Sequence, residues 1–266
     1  GEELDLDGVI ASLVDRRAGH ASDERVYIRR DPTRRDVAAA FLVDMSASTA
    51  AVLPEPADAP IETPARAPQD TGALLYGVYD DDLEPLREGP RRRMIDVAKD
   101  ALALMSGALD ALGDAHAVWG FSGDGRARVE FAVAKSFDEP VSTASWAAIA
   151  AIEPRGSSRM GAAIRHAALK LAQRPEARRL LVIVSDGYPQ DVDYGPDRLD
   201  EEYGVQDTAR ALRDAERSGI ATFCVTIDPA GHDYLGRMCP PRRYRVIEDV
   251  PELPEALAAV YADLAE

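Results

Sequence analysis

From residue 36 onward, short apolar runs of β type alternate with longer segments whose apolar residues fall at helical spacing, and this limits what the chain can fold into more than any other feature. Residues 36–46 (DVAAAFLVDMS) read as a buried strand ending in polar residues. Residues 91–112 follow, with Met94, Ile95, Val97, Ala98, Ala101, Leu102, Leu104, Met105, Leu109 and Leu112 at the spacing of a helix that Gly113 stops. Two strands, 116–122 (HAVWGFS) and 128–135 (RVEFAVAK), flank a Gly-Asp-Gly turn signal and read as a hairpin. A helix at 160–172, a strongly apolar strand at 179–185 (RLLVIVS), a helix at 205–218 and a strand at 220–227 come next. A short helix near 232–238, a strand at 243–248 and a C-terminal helix at 254–265 complete the series. Strands joined by helices must run parallel, and a parallel sheet needs helices on both faces. The fold class expected is therefore α/β and doubly wound: a mainly parallel sheet, one antiparallel edge strand from the hairpin, and helices on both faces. In such sheets ligands gather outside the carboxyl ends of the strands, near the point where the strand order reverses.

Three stretches stand outside the alternation. Residues 1–35 read as an N-terminal extension packed on the main domain of 36–266, with a helix over 4–14 and an edge strand over 25–28. Residues 50–90 carry seven prolines, nine acidic and two basic residues, which predicts a long, partly disordered insertion directly after the first strand. Residues 189–204 (PQDVDYGPDRLDEEYG) predict a second acidic loop leaving the same sheet edge. For both loops a solvated segment with no task is the alternative.

The chain has 31 basic and 47 acidic residues, a formal charge of −16. That field repels a phosphate backbone and attracts divalent cations, so nucleic acid is not an expected partner. The two cysteines, Cys224 and Cys239, read as reduced structural thiols. His20, His116, His166 and His232 do not form a zinc-ligand spacing with them. No run can span a bilayer and no signal-peptide core is present, so the expected location is cytoplasmic. A start at Gly1 is expected of a piece of a longer protein.

The residues that carry chemistry sit at strand ends. Asp44-Met45-Ser46-Ala47-Ser48 follows the first strand at once. A D-x-S-x-S string alone is weak, because composition produces one in about one chain in fifteen of this size; its place at a strand's C-terminal end strengthens it. Short side chains there can turn three oxygens toward one point, as Mg²⁺ requires. A second strand ends in Ser185-Asp186-Gly187 and would bring Asp186 to the same edge. Between them the Gly/Ser loop 155–162 (RGSSRMGA) opens a helix and can add a hydroxyl. Two carboxylates and several hydroxyls around one cation leave a position for a partner's carboxylate. Capping and turn chemistry at strand ends is the competing reading of Asp44 and Asp186.

Enzyme signatures fail by specific residues. A phosphatase of the haloacid-dehalogenase type needs a second Asp where Ser46 stands. The serine-hydrolase elbow G-x-S-x-G is broken at Asp124 and lies in a hairpin. No P-loop and no G-x-G-x-x-G after the first strand occur, so any ATPase activity belongs to a partner. Metal-dependent hydrolysis and a structural scaffold with a vestigial site remain as alternatives of another class.

The D-x-S-x-S strand end, the central hydroxyl loop and the S-D-G strand end resemble the metal-ion-dependent adhesion site of von Willebrand factor A (VWA) domains, over about residues 36–265. The resemblance implies a Rossmann-like VWA fold and a divalent cation, Mg²⁺ or else Mn²⁺ or Ca²⁺, held by Asp44, Ser46, Ser48, Ser158 and Asp186. That family has Thr three residues before the Gly that opens the helix; counting back from Gly161 gives Ser158, and neighbouring Ser157 could substitute. In the family the Ser and Thr hydroxyls bind the metal directly, whereas an Asp can act through water. More narrowly, FLVDMSAST, GFSGDGR, SRMGAAIRHA and SDGYPQDVDYG are similar to the C-terminal domain of the CbbO/NorD family. This implies an adaptor and not an enzyme. Its motor partner would be a MoxR-type AAA+ ATPase hexamer of the CbbQ or NorQ kind. Its target would offer an acidic side chain, with Rubisco activation as the first expectation and nitric oxide reductase maturation as the alternative.

Overall fold

The structure is a computed structural model that describes residues 3–4, 27–28, 36–53, 92–195, 201–228, 231–240, 242–247 and 249–265. Its centre is a six-stranded sheet built from β3 (Val37–Asp44), β4 (Ala115–Gly123), β5 (Val129–Lys135), β6 (Arg178–Ser185), β7 (Ile220–Thr226) and β8 (Tyr244–Val246). β1 (Glu3–Leu4) and β2 (Tyr27–Ile28) pair antiparallel in a ladder of their own. Tyr27–Ile28 is thus extended as expected, but it is not an edge of the main sheet. The rest of the expected N-terminal helix and the insertion from residue 54 to 91 lie outside the described residues.

The strand order is β5-β4-β3-β6-β7-β8, with β5 alone antiparallel to its neighbour. β3 dictates much of this. All eight of its residues are buried, and their period of two divides the core. Val37, Ala39, Phe41 and Val43 join one apolar cluster, with α1 (Met94–Leu112), α2 (Thr143–Ala150) and α6 (Leu253–Ala265). Ala38, Ala40 and Leu42 join the other, with α3 (Met160–Ala172), α4 (Glu201–Arg217) and α5 (Gly231–Met238). A strand covered on both faces cannot show polar alternation, which is why this one reads as a continuous apolar run.

The chain moves from β3 outward through β4 to β5, then returns to place β6 on the opposite side of β3. The order reverses between β3 and β6. Asp44 ends one of these strands and Asp186 follows the other, so both stand at the switch point.

Local signals fix the boundaries. Gly113, Gly125 and Gly219 take positive φ of 75°, 71° and 75°, which closes α1, the β4–β5 turn and α4 as glycine permits. α1 starts on a capping box in which the Arg93 backbone N–H donates to Asp96 Oδ2 at 3.0 Å. Two features depart from expectation. α2 was not legible as a periodic segment, although Ser142 and Ser145 cap it reciprocally. α4 begins at Glu201, so residues 201–204 of the expected second loop are helical. Among the described residues no helix is long and apolar enough to cross a membrane. Cys224 and Cys239 are buried free thiols.

Candidate metal centre

Three loops at the carboxyl end of the sheet meet over β3. The first, residues 45–50, leaves Asp44 and turns at once into a short 3-10 helix, Ala47–Ala50. The second, residues 153–159, leads into α3. The third, residues 186–195, leaves β6. Backbone pairing joins the first two: Arg155 N–H donates to Met45 O at 2.6 Å and Ala47 N–H to Gly156 O at 3.0 Å. The second is joined to the third by Ser158 N–H, which donates to Gln190 O at 2.8 Å.

All five residues expected at the site come together there. Asp44 is buried, and its Oδ1 accepts from the Ser46 backbone N–H at 2.8 Å. Its Oδ2 accepts from Ser158 Oγ at 2.7 Å and from Ser185 Oγ at 3.2 Å. Ser46 Oγ and Ser48 Oγ lie 3.0 Å apart. Half-buried Asp186 stands beside them, near enough for the Ser48 hydroxyl to favour its charged form. Ser46 and Ser158 are buried, and Ser48 is exposed at the mouth.

The choice between Ser157 and Ser158 falls to geometry. Adjacent residues on an extended loop point opposite ways. Ser158 Oγ faces Asp44, whereas Ser157 Oγ faces Asp191 at 2.5 Å. Ser185 is a participant that the sequence reading passed over. It stands in the S-D-G string already singled out, but strand alternation gave no reason to expect its hydroxyl, rather than only the next carboxylate, at Asp44.

Burial raises the Asp44 carboxyl above its ordinary value, against the hydrogen bonds from Ser158, Ser46 and Ser185. Asp186 is pushed up to about 6, first by burial and then by the charge of Asp44. Burial raises both carboxyls and the charge of Asp44 raises Asp186 further, which is what a bound cation relieves. Mg²⁺ ligands at about 2.0–2.1 Å in octahedral order stand about 2.9 Å from their neighbours. The observed oxygen pairs, 2.7 Å for Ser158–Asp44 and 3.0 Å for Ser46–Ser48, have that spacing. The donor set therefore fits a hard divalent cation. All of its donors are carboxylate and hydroxyl oxygens, the ligand type that suits a hard cation.

A doubly wound sheet with one antiparallel edge, and with carboxylates and hydroxyls gathered at its switch point, defines a narrow class of α/β domain. The von Willebrand factor type A domain model matches residues 89–258, and this chain belongs to that family. Within it, similarity along the whole chain runs to proteins named NorD. Protein NorD of Brucella melitensis is 32% identical over 265 residues, 100% of this chain and 36% of that protein. Protein NorD of Stutzerimonas stutzeri is 32% identical over 267 residues, 100% of this chain and 37% of that protein. An uncharacterized protein of Pseudomonas aeruginosa is 35% identical over 264 residues, 99% of this chain and 37% of that protein. The chain thus spans a little over a third of the length of these curated relatives. Among solved structures, the PilB minor pilin from Streptococcus sanguinis superposes with a TM-score of 0.59 at 14% identity, covering 90% of this chain and 64% of the pilin. The pilus adhesin SpaC from Lactobacillus rhamnosus GG gives 0.52 at 14% identity, covering 86% of this chain and 30% of the adhesin. At such identity these two speak for the fold alone.

Proposed function

We propose that this domain is a metal-dependent target-binding adaptor in a MoxR-type AAA+ ATPase system of the cytoplasm, and performs no covalent chemistry itself. The observation that carries the reading is the convergence of Asp44, Ser46, Ser48, Ser158 and Asp186 on the switch point of the sheet. Those residues would hold Mg²⁺, or Mn²⁺ or Ca²⁺ in its place, and the cation supplies a hard Lewis-acid position for an external carboxylate. Ser48, exposed at the mouth, marks the side from which an acidic side chain of the target would enter. The motor follows from the resemblance to the CbbO/NorD family: a MoxR-type hexamer of the CbbQ or NorQ kind, which this domain would anchor to its target. Inhibited Rubisco is the first target to test. The NorD names of the curated relatives favour nitric oxide reductase as the second.

The test uses the full-length protein, its partner ATPase, Mg·ATP, and each target in turn. Capture and activation of a target by wild type, lost on chelation and in Asp44→Ala or Ser46→Ala, with basal ATP hydrolysis by the motor unchanged, is the expected result. Equal capture by the variants, or capture that survives chelation, overturns the metal bridge. No activation of either target overturns the adaptor assignment.

A further inference from the structure

The acidic loop after β6 holds a carboxylate that the metal reading does not use. Asp191 has a side chain with 0% exposure, and it accepts four hydrogen bonds. Gly125 N–H of the β4–β5 turn donates at 3.0 Å. Ser157 Oγ and Arg159 Nε of the second loop donate at 2.5 and 2.6 Å. The fourth comes from the next backbone N–H, of Val192, at 2.8 Å. One side chain therefore ties the third loop to the hairpin turn and to the loop that supplies Ser158.

The surroundings are shaped to admit it. The end of β4 pairs with the second loop, Gly123 N–H to Ser157 O at 2.6 Å and Ser157 N–H to Gly123 O at 2.7 Å. A Cβ at position 123 would sit 2.9 Å from Asp191 Oδ2 and 2.9 Å from Arg159 Cβ. A Cβ at position 156 would sit 2.4 Å from Gly123 O. Both glycines are required for the hairpin, the second loop and Asp191 to close on one another. A buried carboxylate loses its hydration, and an apolar residue could fill the same space without that cost. What the carboxylate adds is direction: with the Gly123 carbonyl, 3.0 Å from Ser157 Oγ, it holds the Ser157 hydroxyl on its own side of the loop. Because Ser157 and Ser158 project oppositely, fixing the first toward Asp191 fixes the second toward Asp44.

We propose that Asp191 is a positioning residue for the metal centre: it does not touch the cation, and it sets Ser158 Oγ against Asp44 by latching Ser157 and Arg159. The inference rests on the metal reading above for its consequence, but the latch itself makes a separate prediction. The test compares Asp191→Ala, which removes both acceptor oxygens, with wild type in the full 266-residue chain, using Mn²⁺ as the probe. Mn²⁺ affinity is read by its paramagnetic resonance, and amide hydrogen exchange over residues 155–159 is followed in chelator. At least tenfold weaker Mn²⁺ binding and faster exchange over that loop are expected, with a cooperative melt retained. Asp193→Asn, which removes only the rim carboxylate bonded to Arg159 and Arg126, should stay within twofold of wild-type affinity. A folded Asp191→Ala variant with wild-type affinity or wild-type exchange overturns the proposal. If wild type binds no Mn²⁺, the metal reading fails and loop exchange alone decides the latch, faster exchange supporting it and unchanged exchange overturning it. Should Asp191→Ala not fold, Ser157→Ala removes a single hydroxyl, with its contacts to Asp191 and to Gly123 O, and is judged by the same exchange: faster supports, unchanged overturns.

Discussion

Replacing Asp44 by Asn separates the metal from the fold, because the two effects have opposite signs. In the metal-free domain Asp44 is a buried carboxylate whose pKa is raised by desolvation, so its charge opposes folding near neutral pH. Asn keeps the shape and removes the charge. It retains one acceptor for the Ser46 N–H now 2.8 Å away, and its amide can donate to Ser158 Oγ or Ser185 Oγ, since a hydroxyl also accepts. The metal-free melting temperature should therefore stay level or rise. The metal response should vanish. A cation that binds only the folded state at 100 times its Kd stabilises it by about 2.7 kcal/mol. For a domain of this size each kcal/mol moves the midpoint by about 2–4 °C, which gives a rise of about 5–10 °C for wild type. Thermal unfolding followed by circular dichroism, at matched ionic strength with chelator and then with Mg²⁺, reads both effects. An Asp44→Asn variant that keeps the full Mg²⁺-dependent rise would refute the assignment. One that melts far below wild type in chelator would show that the carboxylate is structural, and that its hydrogen bonds outweigh its desolvation.

The remaining predictions concern what surrounds the site. Gly156→Ala must hold a side chain at φ 62° with its Cβ 2.4 Å from the Gly123 carbonyl. The left-handed conformation alone costs about 1–2 kcal/mol, so urea unfolding should show at least that loss; a change under about 0.5 kcal/mol, within the range of ordinary surface substitutions, would mean the second loop is not held as described. Arg93 hydrogen-bonds Asp96 in the α1 capping box and lowers its carboxyl to about 2 from an ordinary 3.8. A depressed carboxylate stabilises the fold above its unfolded pKa and loses that contribution as pH falls toward 2. Asp96→Ala should accordingly cost about 1 kcal/mol at pH 7 and progressively less below pH 4, as denaturant titrations at several pH values would reveal. The ends of the Pro-rich insertion are already bridged: Val52 pairs antiparallel with Arg93, and Leu53 N–H donates to Arg92 O at 2.9 Å. Replacing residues 54–91 by Asn-Gly should thus close a two-residue hairpin and leave one cooperative melt; a variant that loses cooperativity would make the insertion part of the core.

The sequence by itself determined the layers and the first two parts of the metal centre. The run 37–44 is apolar at every position but the last, so it had to be covered on both faces, and the helical spacing of 94–112 and 160–172 supplied the covers. Asp44, Ser46 and Ser48 were legible because they sit within five residues of one strand end, where local geometry alone turns short side chains together. Asp186 was legible for a related reason: it directly follows an apolar strand, and it reaches the same edge once that strand lies beside the first, as β6 does. Helix α2 escaped because eight residues rich in alanine carry almost no periodic contrast. The N-terminus of α4 escaped because the acidic 201–204 stretch, which looks like a solvated loop, continues into the face that packs through Val205, Ala209 and Leu212. Tertiary structure alone decided between Ser157 and Ser158, recruited Ser185 to Asp44, and gave Asp191 its place. Each of those depends on contacts across 32 to 141 residues of chain. No local pattern encodes which of two adjacent hydroxyls meets a carboxylate from another loop. That is settled only when the glycines at 123 and 156 let three backbones approach, and the buried acid between them finds its donors.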